Sequence, residues 1–100
     1  MTFAILFHEL AAEEIAKLRR FDQRRVLAAI EEQVTHEPTT PTPRRKCLAG
    51  LTPTFEHVLP VWELRVGQFR VFYDVDAEAV AVNIRAVRRK EPDQQTKDIT

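Results

Sequence analysis

One hundred residues set the expectation of a single domain. With 44% hydrophobic and 30% charged residues, two glycines and no low-complexity tract, the composition is that of a globular chain and excludes wholesale disorder. The formal net charge of zero argues against indiscriminate nucleic-acid binding, yet residues 1–37 hold seven acidic and five basic residues whereas residues 44–90 hold nine basic and five acidic.

The chain begins MTFAILFHELAAEE, with no basic region before its apolar stretch, so it is not read as a secretory signal. No apolar run approaches the roughly 20 residues of a membrane span. Cys47 has no second cysteine to pair with, which fits a reducing, cytoplasmic setting. Residues 2–7 (TFAILF) predict a first strand. Residues 9–20 (ELAAEEIAKLRR) predict a helix with Ala11, Ala12, Ile15 and Leu18 on its apolar stripe. Asp22 is the expected N-cap of a second helix over 23–36, with Val26, Leu27, Ile30 and Val34 facing inward and Phe21 in the link between the two.

Residues 37–46 (EPTTPTPRRK) predict a loop, because three prolines oppose both helix and central strand. Residues 47–51 (CLAGL) predict a short strand or turn. A strand is expected over 55–66, with Pro60 marking a bulge or unpaired edge, and residues 91–100 (EPDQQTKDIT) predict a polar tail or short terminal helix.

Residues 61–90 (VWELRVGQFRVFYDVDAEAVAVNIRAVRRK) predict a three-stranded antiparallel meander. Gly67 supplies the positive φ of a two-residue hairpin turn, which sets Val66 opposite Phe69, Arg65 opposite Arg70 and Trp62 opposite Tyr73. A turn at 76–79 sets Val75 opposite Val80 and Arg70 opposite Arg85. Alternation then places Trp62, Leu64, Val66, Phe69, Val71, Tyr73, Val75, Val80, Val82, Ile84 and Ala86 on one apolar face. The other face carries Glu63, Arg65, Arg70, Asp74, Asn83, Arg85 and Arg89, with Val61, Phe72, Ala81 and Val87 among them. Like charges opposed across a ladder are unfavourable. A row of arginines extended by Arg88 and Lys90, and by Arg44, Arg45 and Lys46 at the loop tip, is therefore expected to serve an anionic partner.

The order strand, helical hairpin, loop and meander, with Leu64–Val75 (LRVGQFRVFYDV) as its most specific part and Leu48–Gly50 (LAG) before it, resembles the RelE/ParE toxin superfamily of bacterial type II toxin–antitoxin systems. The resemblance implies an α+β fold in which an N-terminal strand and helical hairpin pack on an antiparallel sheet. It implies a toxin that acts as a ribosome-dependent, metal-independent mRNA endonuclease, with a cognate antitoxin protein, the ribosome and mRNA as partners. By the same resemblance Arg65, Arg70 and Arg89 (or Arg88 beside it) match the basic residues that hold RNA and stabilise the transferring phosphate. Glu63 is the candidate for proton transfer, and Arg44, Arg45, Lys46, Arg85, Arg88 and Lys90 are candidates for RNA contact. The chain departs from the nuclease pattern at Val61 and Glu63, where lysines are common, and at Glu91–Gln94, where a tyrosine or histidine is common. A ParE-like inhibitor of DNA gyrase, or a toxin that only binds its antitoxin, is the alternative. His8, His36, His57 and Cys47 lack metal-ligand spacing, and no glycine-rich loop for a nucleotide exists, so no metal and no cofactor are expected.

Overall fold

The computed structural model describes residues 1–100. Strands β1 (Ala4–Phe7), β2 (Arg45–Cys47), β3 (Trp62–Val66), β4 (Phe69–Asp76) and β5 (Ala81–Arg89) form one sheet in the order β1-β5-β4-β3-β2. Helices α1 (Glu9–Ala16) and α2 (Arg20–Val34) follow β1, and a short α3 (Thr96–Ile99) ends the chain. The α+β architecture agrees with the sequence, but the sheet is mixed, since β1 runs parallel to β5.

The apolar stripe of the helices meets the apolar face of the meander. Ala11, Ile15, Val26, Ile30 and Val34 pack on Trp62, Leu64, Val71, Tyr73, Val82 and Ile84. The expected stripe is corrected at Ala12 and Leu27, which are exposed. The helix boundaries also shift. α1 stops at Ala16, and α2 starts at Arg20 with Arg19 as N-cap. Asp22 therefore lies in the first turn of α2, where a carboxylate complements the helix dipole, and accepts a 2.8 Å hydrogen bond from Arg19. Phe21 is helical rather than in a link.

The β3–β4 hairpin has the expected register, with Arg65 opposite Arg70 and Trp62 opposite Tyr73. Gly67 takes φ +58° at its turn. The β4–β5 register is different. Val75 faces Val82, two residues beyond the expected Val80, because the loop occupies 77–80 and Val80 itself takes φ 52°. A slip of two preserves the faces as far as Ile84. A bulge then leaves Arg85 unpaired between Ile84, opposite Tyr73, and Ala86, opposite Phe72, and the alternation inverts beyond it. Val87 joins the helix-side core while Ala86 moves to the other face.

That second face has its own small core of Phe55, Val61, Phe72, Ala86 and Ile99. The loop around Phe55 and the terminal helix cover the middle of the sheet. The expected strand over 55–66 narrows to Trp62–Val66, and β2 opens inside the stretch expected as loop. No helix is long and apolar enough to cross a membrane.

Candidate functional site

Register brings the cations of β2, β3 and β4 together. Lys46 lies opposite Glu63, and Arg65 opposite Arg70. With Arg44 and Lys90 they line a depression of about 310 Å³ whose walls are polar and charged apart from Pro43. Of the sequence-predicted residues, Arg44, Arg45, Lys46, Glu63, Arg65, Arg70 and Lys90 line this depression; Arg85, Arg88 and Arg89 do not.

Glu63 is 4% exposed, the least accessible residue in the depression. One carboxylate oxygen lies 3.5 Å from Lys46 Nζ, and the other accepts a 2.8 Å hydrogen bond from Thr96 Oγ1. Its salt-bridge partner is thus the lysine beside it on β2, not an arginine. Arg70 folds back over the hairpin turn and donates to the carbonyls of Gly67 and Phe69 at 2.8 and 2.9 Å. Burial lowers the Arg70 pKa; Glu63 opposes the shift and Arg65 adds to it. The Arg65 and Arg44 side chains are exposed. Arg45 is different. It is buried and donates from Nη1 to the Gln33 carbonyl, so its guanidinium fastens β2 to α2.

The three residues outside the depression owe their positions to the bulge. Arg88, not Arg85, stands opposite Arg70. Its guanidinium turns to Glu14 at 2.6 Å and to the Ile99 carbonyl at 3.2 Å. Arg85 forms a buried pair with Asp74, with Nε 2.7 Å from the carboxylate, and its Nη1 meets Glu56 and His8 at 3.2 Å. Arg89 falls on the helix side, opposite Phe69. It lies 6.0 Å from that ring and donates to Gln68 at 2.7 Å and Glu91 at 3.2 Å. The expectation that Arg65, Arg70, Arg85 and Arg89 share one face is corrected: the bulge separates Arg89 from the rest, and Asp74 engages Arg85.

Thr96 and Thr42 line the depression and were not anticipated from sequence. For Thr96 the signal lay in the QTKD stretch, where the Gln95 N–H donates to the Asp98 carboxylate at 2.8 Å and starts α3. Tyr73, the only tyrosine, is buried with its hydroxyl donating to the Pro38 carbonyl at 2.5 Å. Burial raises its pKa, with Arg45 lowering it and Cys47 raising it in lesser degree. It faces away from the depression, on the core side of β4.

The arrangement can hold a phosphate. Arginine presents a bidentate fork to phosphate oxygens and stays protonated, and lysine adds a point charge.

Comparison with known proteins places this geometry in a family. The sequence model described as the ParE toxin of the type II toxin–antitoxin system parDE matches residues 5–93. No curated protein sequence matches the chain. The fold is similar to that of the toxin–antitoxin complex RelBE2 from Mycobacterium tuberculosis, with TM-score 0.70 and 21% identity over 90% of this chain and 93% of that one. It is also similar to the archaeal RelE–RelB complex from Pyrococcus horikoshii OT3, with TM-score 0.69 and 20% identity over 92% and 99%. The isolated E. coli RelE toxin gives TM-score 0.61 and 20% identity over 92% and 88%. The chain belongs to the ParE toxin family, within the RelE/ParE superfamily of type II toxin–antitoxin toxins.

Proposed function

We propose that this toxin cleaves mRNA on the ribosome, with the β2–β3–β4 depression as its RNA site. The observation that carries this reading is the convergence of Arg44, Lys46, Arg65, Arg70 and Lys90 on one polar hollow that holds a single carboxylate. Arg65 and Arg70 clamp the scissile phosphate. The 2′-hydroxyl oxygen attacks the adjacent phosphorus, the bond to the 5′-oxygen breaks, and charge gathers on the equatorial oxygens, where guanidinium groups stabilise it. Glu63 is the proton acceptor for the 2′-hydroxyl, exchanging its hydrogen bond from Thr96 for one from the substrate. Lys46, 3.5 Å from Glu63, is the cation placed to serve the leaving oxygen.

In this reading the toxin is held inactive by a cognate antitoxin. Two of the similar structures are toxin–antitoxin complexes. Here a groove of about 350 Å³ between β1 and α2, lined by Phe3, Ile5, Phe7, Leu27 and Ile30, offers an apolar seat for a segment that orders on binding.

A second reading, inhibition of DNA gyrase, is favoured by the ParE description of the matching family and by the lack of a tyrosine or histidine in the depression. Purified toxin added to programmed ribosomes, with the mRNA ends mapped, separates the two. The first reading expects cleavage that falls at least 100-fold when Arg65 and Arg70 are both alanine, the order of loss seen when a transition-state donor is removed. Uncut mRNA together with blocked supercoiling by gyrase would establish the second.

A further inference from the structure

The largest cleft in the molecule lies outside the depression described above. It measures about 610 Å³ and separates the α1–α2 corner from the tip of the β3–β4 hairpin. Four cations line it, Lys17, Arg19, Arg25 and Arg89, against one carboxylate, Asp22. Asp22 is already engaged by Arg19 at 2.8 Å, and Arg89 by Glu91 at 3.2 Å. Lys17 and Arg25 have no carboxylate within ion-pair distance.

The Arg25 guanidinium occupies the space beside Gly67 at the hairpin tip that a side chain there would fill. A Cβ on Gly67 would come within 2.2 Å of its Nη2. The guanidinium lies against the turn, exposed and with no carboxylate within ion-pair distance.

This cleft is continuous with the RNA site. A saddle between them shares Arg25 and Gly67 with the cleft, and Arg44 and Arg65 with the depression. One carboxylate, Glu32, lines the saddle. A cationic track thus runs from the sheet face, past Arg44 before β2 and Arg65 near the end of β3, to the far side of the hairpin. Phe21 borders its far end, 65% exposed; the Arg19 guanidinium lies over its ring at 5.7 Å from the centroid, and the exposed remainder offers a surface for a base to stack on.

We propose that this track binds single-stranded RNA beyond the scissile segment, with Lys17 and Arg25 neutralising phosphates and Phe21 stacking on a base. The inference rests on the RNA reading of the depression and extends it, since only a strand that already lies on Arg65 continues naturally to Arg25.

The test uses the purified full chain and two unstructured RNA oligonucleotides. One is roughly 4 nucleotides and the other roughly 16, the range that single-strand sites span. Affinity is measured as a function of salt. The wild type should bind the long RNA more tightly. Lys17→Ala/Arg25→Ala should weaken long-RNA binding roughly tenfold and reduce the slope of log K against log salt by about 1.4, while short-RNA binding stays unchanged. Phe21→Ala should weaken the long RNA only. Thermal melts verify folding, and Lys17→Arg/Arg25→Lys, which keeps both charges, should retain the slope. Long-RNA binding by the double alanine variant with wild-type affinity and slope would overturn the track. Arg65→Ala/Arg70→Ala separates the two ideas. Loss of short-RNA binding in that variant upholds the RNA site even if the track fails. A wild type that binds neither oligonucleotide would sink both.

Discussion

Asp74 gathers donors from three residues at a position that is 1% exposed: Nε and Nη2 of Arg85, the amide of Asn83 and the backbone N–H of Val58. The cluster joins β4, β5 and the loop before β3. Removing one partner of a buried pair leaves the other charge uncompensated, so Asp74→Ala should cost about 3–5 kcal/mol of unfolding free energy. Urea denaturation measures it, and a loss under about 1 kcal/mol would mean that water reaches Arg85. Tyr73 supplies a pH-dependent contribution. Its folded pKa is raised above the unfolded value of about 10. The native state therefore keeps a proton that the unfolded chain releases, and the stability from this group is full below about pH 10 and declines as pH rises. Tyr73→Phe should lose about 1 kcal/mol at neutral pH, because the Pro38 carbonyl loses its donor. The gap between mutant and wild type should narrow as pH rises above 10; a gap that stays constant would contradict the assignment. Arg85 was legible in the sequence as a cation on the face where Asp74 partly neutralises the arginines, but its position in the ladder was not, since that depends on a bulge that no glycine or proline marks.

At the level of elements, the β4–β5 turn and the bulge decide which arginines meet. Val80 holds a left-handed φ of 52°, a conformation that a β-branched residue adopts at a cost of about 1–2 kcal/mol. The turn is anchored by a 2.9 Å hydrogen bond from the Ala4 N–H to the Val80 carbonyl. Val80→Asn suits that φ and should raise stability by about 1 kcal/mol, read as a rise in thermal midpoint of several degrees. A fall would show that Val80's packing outweighs its backbone strain. The β3–β4 register was legible because Gly67 fixes a two-residue turn, whereas Asp76-Ala77-Glu78-Ala79 carries no such signal and the strand slipped by two. The helical stripes were legible from their spacing. Leu27 was misplaced because the periodicity cannot tell a packed flank from one bordering an open groove.

Across the whole molecule, a neutral total hides a polar distribution of charge. The acids of α1 and α2 are spread over the helical layer, while Arg25, Arg44, Arg65, Arg70 and Lys90 line the hollows around the β3–β4 hairpin. The apolar face of the meander was readable as far as Ile84, since alternation and turn chemistry both act locally, and the family was readable as a resemblance over residues 3–90. The candidate site was only partly readable. Sequence brought Arg65, Arg70 and Glu63 to one face with Lys46 at a loop tip extending it, but the strand that sets Lys46 opposite Glu63, and the closure of that face by Ile99 and Thr96, require β2 and a terminal helix whose residues look merely polar. The central claim is that Arg65 and Arg70 act on RNA. Inducing the wild-type chain and Arg70→Ala in growing cells, with primer extension across several mRNAs, tests it most directly. Growth arrest with new mRNA ends in the wild type, both lost with Arg70→Ala, is the expected result. Arrest of equal strength in the two, with intact mRNA, would contradict it and move the target from the ribosome to another molecule.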